Sequence, residues 1–309
     1  MTRQWIRQCR LVVGDGGAGL DLSALRIRFT VNQAIVGTPG NADIIVSNLS
    51  DATANTIQQE YTRVVLDAGY EENIATIFEG EIVQKRKGRE NPTDTYLAIL
   101  GREAQKAHSY ATISKTLAAG HTFRDQVDAC LEALKPFGVV AGFIDDLGSF
   151  KMPRGRALFG MVRDQLRTIA SATDTAWRVQ GNKLTIVKNK GTLPGSAIVM
   201  NSRTGMVGMP VQTMDGIEVR CLLNPEIKPG TRIQIDQSSI QQQQISLNNS
   251  AGAQNERIPS LATDGIYKVL KVTHSGDTRG NDWYSDLVCM SASGGPIPRS
   301  AIQLLSIPD

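Results

Sequence analysis

Two glycine-rich stretches are the first candidates for chemistry, because glycine loops can wrap phosphate groups. The run from Gly14 to Gly19 reads Gly-Asp-Gly-Gly-Ala-Gly. A phosphate loop needs a helix directly after it, since free amides at the helix N-terminus bind the anion. An alternating apolar pattern begins at Leu25 instead and predicts a strand. Gly155 and Gly160 have P-loop spacing, but Met and Val follow where the loop needs Lys and Ser or Thr. We expect no nucleotide site.

The other reactive side chains form no catalytic or metal-binding pattern. Asp145 and Asp146 are adjacent, whereas general acid/base pairs face one bond from different environments, so a turn is the simpler interpretation. No G-x-S-x-G nucleophile elbow occurs. Cysteines and histidines are scattered, without C-x-x-C or metal-ligand spacing: Cys9, Cys130, Cys221, Cys289, His108, His121 and His274. We expect reduced thiols, no metal, no cofactor and no enzymatic activity.

The densest basic cluster consists of Lys85, Arg86, Lys87 and Arg89. It lies in a polar connection, Lys85 to Pro92, between strand patterns at 74–83 and 95–100, which predicts an exposed hairpin tip. Such a tip can be simply solvated, or it can contact nucleic acid or an acidic protein rim. Nearby aromatic residues are too few for a base-stacking platform.

An apolar tail closes the sequence. Gly294-Gly295-Pro296 separates it from the preceding strand pattern, and its apolar residues need a surface to cover: Ile302, Leu304, Leu305 and Ile307. A neighbouring subunit and the chain's own barrel are both open as that surface. A long polar loop, 237–260, precedes the last hairpin; from 237 to 255 it lacks lysine, arginine, glutamate and aromatic residues.

Length and composition limit the class of protein. The chain has 309 residues, of which 41% are hydrophobic and 20% charged, which is ordinary globular composition and allows two or three domains. The net charge is +3, so the charge balance indicates no dedicated nucleic-acid binder. No apolar run approaches the roughly 20 residues of a membrane span, and charges near the N-terminus argue against a secretion signal.

The periodicity then places the elements. Leu25 to Val31 alternates with the period of a half-buried strand, and a helix from Ala52 to Glu60 can be capped by Ser50 or Asp51. In the middle, helices are predicted after Thr122, with Asp125 as capping-box partner, and around Leu158 to Ile169. The remaining strand patterns are 43–46, 61–66, 74–83, 95–100, 139–144, 176–179, 183–187, 216–223, 231–236, 265–274 and 282–290.

Three segments together resemble a known family. The first is the order of strand, helix and hairpin from Leu25 to Gly101, with Asp43-Ile-Ile-Val-Ser-Asn-Leu49 and Phe78-Glu-Gly-Glu-Ile-Val83. The second is Lys115 to Gly120 followed by the Thr122 helix. The third is Pro210 to Pro225 with Ile227-Lys-Pro-Gly230. In this order they are similar to the tail hub, or baseplate hub, proteins of tailed bacteriophages and related contractile injection systems.

The resemblance implies an α+β, predominantly β fold with two tube-like β-barrel domains, 1–104 and 201–309, flanking an α+β domain, 105–200. It implies a homotrimeric ring that joins a sixfold tail tube to a threefold spike and forms part of the DNA ejection conduit. Expected partners are the tail tube protein, the central spike protein and other baseplate proteins, with DNA only passing through. Expected localisation is the virion baseplate, after assembly in the host bacterial cytoplasm.

Two other classes stay open at this level. A nucleic-acid-binding β-barrel module would use the basic cluster and show salt-dependent affinity. A carbohydrate-binding or adhesive virion protein would expose aromatic residues, and aromatics are 5% of this chain.

Overall fold

The structure is a computed structural model, and it describes residues 4–15, 18–213, 215–241, 261–262 and 264–292. The fold is mostly β, with 50% strand and 17% helix, as the alternating patterns predicted.

Seven strands and one helix form the first β unit. In its third strand, Ile27, Phe29 and Val31 are buried while the residues between them are partly exposed, as the period of two requires. Ser50 caps the helix by accepting a hydrogen bond from the Thr53 amide at 3.2 Å. The elements are β1 (Arg7–Asp15), β2 (Ala18–Asp21), β3 (Ile27–Ala34), β4 (Asn41–Ser47), α1 (Asp51–Glu60), β5 (Arg63–Tyr70), β6 (Asn73–Arg89) and β7 (Thr95–Arg102).

The middle part mixes helices with two small sheets. In one sheet, the strands at Thr112–Leu117 and Arg156–Met161 pair antiparallel. In the other, the strands at Thr175–Gln180 and Lys183–Lys188 form a hairpin, and the strand at Val140–Ile144 runs parallel to the second of them. A short 3-10 helix, Lys135–Phe137, follows the second helix. The elements are α2 (Gln105–Tyr110), β8 (Thr112–Leu117), α3 (Phe123–Leu134), β9 (Val140–Ile144), β10 (Arg156–Met161), α4 (Val162–Ala172), β11 (Thr175–Gln180) and β12 (Lys183–Lys188).

The two helices predicted for the middle part are present as α3 and α4, but α4 begins later than predicted. Thr122 and Asp125 form the complete capping box of α3. Leu158 and Met161, which the helical spacing assigned to the second helix, belong to β10. A spacing of three puts these two residues on opposite faces of a strand, so the apolar spacing favoured a helix. Pairing with β8, which sets Leu158 opposite Lys115, overrides that local preference.

The last part is a second β unit. A 3-10 turn, Gln237–Ser239, follows its fourth strand. The strands are β13 (Ile198–Met200), β14 (Met206–Thr213), β15 (Gly216–Leu222), β16 (Arg232–Ile235), β17 (Ile266–Asp277) and β18 (Trp283–Ser291). The connection between the strand patterns at 265–274 and 282–290 is shorter than those patterns predict, because β17 continues to Asp277.

The two β units share one sheet of 13 strands. Its main path runs β14-β15-β18-β17-β3-β4-β7-β6-β5-β1-β2, and β16 joins β13 to β17. Within the described residues this path is open, so the two closed barrels that were expected are not formed. The reason lies in β3, whose two neighbours are β4 and β17. The edge that would close the first barrel is therefore occupied by the second β unit.

Each part has its own hydrophobic cluster. The first contains residues between Leu11 and Ile99, the second between Ala107 and Ile186, and the third between Met200 and Cys289. Leu223 and Trp283 belong to the second β unit in sequence but pack in the first cluster. The two β units are thus joined by core packing as well as by strand pairing.

Candidate assembly surfaces

The basic cluster lies on β6 and not on a hairpin tip. Lys85, Lys87 and Arg89 pair in register with residues of β7, and the turn is formed by Glu90 to Asp94. The apolar pattern predicted a strand that ends at residue 83, but β6 continues to Arg89. The charged residues in this second half carry no apolar alternation, so the sequence pattern did not indicate a strand there.

Lys85 serves the fold directly. Its ammonium donates hydrogen bonds to the carbonyls of Ile57 at 2.8 Å and Gln58 at 3.1 Å, and to that of Tyr61. These carbonyls lie at the C-terminal end of α1, where helix carbonyls lack partners. Burial lowers the pKa of Lys85. The cation therefore caps a helix.

The other basic residues are divided between the two faces of β6. Lys87 pairs with Asp51 at the start of α1, and Arg89 donates to the Pro92 carbonyl at 3.1 Å. Arg86 is exposed on the opposite face of the strand. Three of the four cations thus contact the chain itself, which leaves little of the cluster for phosphate groups.

The predicted tail residues, Ile302, Leu304, Leu305 and Ile307, lie outside the described residues, as does the polar loop 237–260 from residue 242 onward.

A buried polar cluster occupies the junction of the three parts. Gln33 on β3 donates hydrogen bonds to Glu103 Oε1 at 2.6 Å and to the Ile77 carbonyl at 3.0 Å. Burial raises the pKa of Glu103 to about 7, although the nearby Arg178 guanidinium opposes this shift. Burial likewise lowers the pKa of Arg178, on β11. Glu103 thus joins β3 and β6 through the Gln33 side chain, beside Arg178 of the middle part.

Two further contacts tie the middle part to the β units. Lys268 of β17 is buried and donates to the carbonyls of Lys188 at 2.9 Å and Asn189 at 3.4 Å, at the end of β12. Burial lowers its pKa to about 8. The Trp177 ring lies so close to Gly37 that a Cβ there would stand 2.5 Å from it. The junction is therefore closely packed, and glycine is required at this approach.

The thiols show no reactive arrangement. All four cysteines are free, and burial raises the pKa of Cys130 and Cys221 to about 12, so both stay protonated thiols at neutral pH. Among the described residues, no group of three or more His, Cys, Asp or Glu side chains could hold a metal ion. No helix in the same part of the chain has the length and apolar character needed to cross a membrane.

Several large apolar side chains are exposed instead. Trp5, Tyr110 and Phe159 are each more than 70% exposed, at separate places. On β14, three alternate residues point outward in one row, which we call the β14 stripe: Val207, Met209 and Val211. Sequence reasoning missed this row because its alternation is broken by Gly208 and Pro210, both poor strand formers.

The β14 stripe borders a shallow groove of about 440 Å³ on the outer face of the second β unit. Arg220 and Asp286 lie in this groove and form an ion pair at 2.6 Å. β14 stands at one end of the main strand path. Within the described residues, its outer edge pairs through a bridge between Val211 and Gln241, with backbone hydrogen bonds from Gln212 to Gln241 and from Gln241 to Pro210. Exposed apolar side chains at a sheet edge are typical of an association surface.

The fold is shared with solved tail proteins. The 43 kDa tail protein of prophage MuSo2 from Shewanella oneidensis has a TM-score of 0.58 at 9% identity, covering 93% of this chain and 99% of that one. A tail protein from Neisseria meningitidis MC58 gives 0.56 at 10% identity, covering 91% and 96%. The E. coli c3393 protein gives 0.59 at 11% identity, covering 93% and 80%. That protein is described as a type VI secretion component with structural similarity to the T4 tail proteins gp27 and gp5. A search of curated proteins found no match.

These likenesses show that the chain has the fold of the phage tail and type VI secretion proteins it matches. The family model described as Baseplate hub gp41 matches residues 24–243, more than half of the sequence. The chain belongs to the Baseplate hub gp41 family, in agreement with the resemblance in its sequence.

Proposed function

We propose that this chain is a structural baseplate hub subunit that forms a ring of three copies. The ring would join a sixfold tail tube to a threefold spike and enclose part of the conduit for DNA. The observation that carries this proposal is the presence of two β units in one continuous sheet, joined where β3 pairs with β17. Three copies would then present six β units, which is the number a sixfold tube requires.

The packed junction supports the same role. A subunit that holds a spike on a tube has to transmit force without bending between its parts. The Gln33–Glu103 hydrogen bond and the enclosed Lys268 fix the first β unit, the middle part and the second β unit against one another. A net charge of +3 suits a conduit, since a strongly basic lumen would hold DNA through its phosphates.

The remaining assignments follow from this role as proposals. The partners would be further copies of the chain, the tail tube protein, the central spike protein and other baseplate proteins, in the virion baseplate assembled in the host cytoplasm. The chain would carry out no catalysis. The division proposed at 1–104, 105–200 and 201–309 is close to that of the three hydrophobic clusters. Met200 of β13 packs in the third cluster, so that part begins a few residues earlier, and Leu223 and Trp283 of the second β unit pack in the first cluster.

The native mass of the purified chain tests the proposal. For the chain alone, light scattering should give about 100 kDa, three times 33.5 kDa, at low and at high salt. If the ring forms only on the spike, the mixture should give that mass plus the mass of the bound spike protein. Averaged electron micrographs of that species should show threefold symmetry with six peripheral lobes. A chain that stays monomeric with the spike present would overturn the ring. A monomer that binds DNA at low salt and releases it at high salt would favour the nucleic-acid-binding module.

A further inference from the structure

The β14 stripe lacks a cover in the described part of the chain. Val207 and Val211 are 39% exposed and Met209 is 61% exposed. The register of β14 against β15 shifts between Val207 and Val211, so the backbone around Met209 bulges away from its neighbour. Burying such side chains releases free energy in proportion to the area covered, so a segment that fits them stabilises the protein.

Strand pairing fixes how far the stripe lies from the end of the described chain at Ala292. Cys289 on β18 stands opposite Ile217 on β15, which stands opposite Gln212 on β14. Two strand spacings of ~4.8 Å and about four residues of ~3.4 Å place Val211 on the order of 16 Å from Ala292. The eight residues 293–300 can span up to about 27 Å. Residues beyond 300 can therefore reach the stripe of their own chain.

The chemistry of the two surfaces also matches. The segment 301–307, Ala-Ile-Gln-Leu-Leu-Ser-Ile, carries no charge. One charged pair in the groove, Arg220 with Asp286, is neutralised by its own ion pair. Glu218 and Lys271 also line the groove. An uncharged apolar segment that covers only the β14 stripe adds no charge of its own that would need a partner.

We propose that residues 301–307 dock on the β14 stripe of the same chain, with Ile302, Leu304, Leu305 and Ile307 supplying the apolar contacts. The same chain is favoured over a neighbouring copy because a short tether gives an effective concentration in the millimolar range. The inference does not depend on the ring, since it concerns a contact within one subunit. The rival occupants are the tail of a neighbouring copy and the polar loop at 242–260, which begins beside Val211 at Gln241.

Cysteine cross-linking tests the docking in the full chain. We expect the pair Met209→Cys with Leu304→Cys to oxidise to an intramolecular disulfide, at a rate independent of protein concentration. The matched control is Phe159→Cys with Leu304→Cys, since Phe159 is 78% exposed on the middle part of the chain. That pair should not cross-link. A covalent dimer from the first pair, or equal reaction of both pairs, would overturn the proposal.

A second measurement separates docking from a general effect of the tail. Removing the residues after Gly295 should lower the melting temperature by about 2–3 °C and increase binding of an apolar dye. Met209→Asp in the full chain should have a similar effect, and combining the two changes should add little further. Full additivity would place the tail elsewhere. If deletion of 242–255, with the tail intact, abolished the effect of Met209→Asp, the polar loop and not the tail would cover the stripe.

Discussion

Gln33 and Glu103 are joined by a 2.6 Å hydrogen bond from Nε2 to Oε1, in a space that excludes solvent from both side chains. Gln33 lies on the strand that joins the two β units, and Glu103 lies between β7 and the first helix of the middle part. This bond therefore connects the element that unites the sheet with the segment that leads out of it.

The pH dependence of stability should reveal opposing contributions from Glu103 and His274. Burial raises the pKa of Glu103 from 4.5 to about 7. The stabilisation of the folded chain that comes with this shift is therefore fully present below pH 4.5 and is lost as pH rises through 7. Burial, assisted by the Lys228 charge, lowers the pKa of His274 from 6.5 to about 4. Its contribution is complete above pH 6.5 and is lost as pH falls through 4.

Between pH 4.5 and 6.5, Glu103 makes the free energy of unfolding fall with pH and His274 makes it rise, each by at most about 1.4 kcal/mol per pH unit. We expect urea titrations at pH 4.5, 5.5 and 6.5 to give the unmodified chain a change of unfolding free energy with pH that lies between those of the two variants. The free energy of unfolding should rise with pH in Glu103→Gln, and it should rise less or fall in His274→Gln, where His108, whose pKa burial also lowers, still favours a rise. Parallel curves for all three proteins would contradict this assignment.

Lys85 should matter for stability and Arg86 should not. Lys85→Met removes the hydrogen bonds to the end of α1 and should cost about 1–2 kcal/mol in chemical unfolding, since the donor is charged. Arg86→Met removes the same charge from an exposed side chain and should change stability by less than about 0.5 kcal/mol. Equal losses would show that net charge, and not capping, is responsible. If both variants weakened DNA binding equally, the nucleic-acid function would gain support.

Trp283 should hold the two β units together. It is fully buried in the first core, donates from Nε1 to the Gly69 carbonyl at 3.2 Å, and packs edge-to-face on Phe29 with centroids 5.5 Å apart. We expect Trp283→Leu to lower the free energy of unfolding by roughly 2–4 kcal/mol. The control, Trp5→Leu, alters a side chain that is 74% exposed and should have an effect below about 0.5 kcal/mol. Comparable effects at both positions would refute the joining role.

The capping box of α3 should contribute measurably. Thr122 accepts a hydrogen bond from the Asp125 amide, so Thr122→Ala should cost about 1 kcal/mol in thermal or urea unfolding. Thr168→Ala, on the exposed face of α4, is the matched control. The Thr168 hydroxyl donates a hydrogen bond to the Asp164 carbonyl within the helix. Since alanine has the higher helix propensity, the free energy of unfolding should stay the same or rise slightly. An equal loss in both variants would rule out a capping effect.

Local patterns predicted most elements because their causes are local. The alternation of Leu25 to Val31 and the cap at Ser50 depend on neighbours within a few residues, and both are found in the structure. The strand patterns at 176–179 and 183–187 are likewise found as β11 and β12, and Gly181 and Asn182 between them are residue types that tolerate the positive φ both adopt in the turn. At Leu158 and Met161 the spacing favoured a helix, and pairing with a strand distant in sequence decided the outcome instead.

The candidate surfaces were much harder to foresee. The basic cluster was recognised by composition, but its location on β6, and the use of Lys85 as a helix cap, depend on α1 packing nearby. The β14 stripe was missed because a bulge and a proline interrupt its alternation. Glu103 gave no signal, since a single carboxylate in sequence does not show that it will be enclosed.

The sequence by itself determined the mostly β character, the helix caps and the family, because each depends on short-range pattern or on the order of motifs along the chain. Only the tertiary structure decided that the two β units share one open sheet through β3 and β17. The paired residues Val31 and His274 stand more than 200 positions apart. Strand pairing uses backbone groups that every residue carries, so side-chain pattern marks where strands lie but does not specify which distant edges meet.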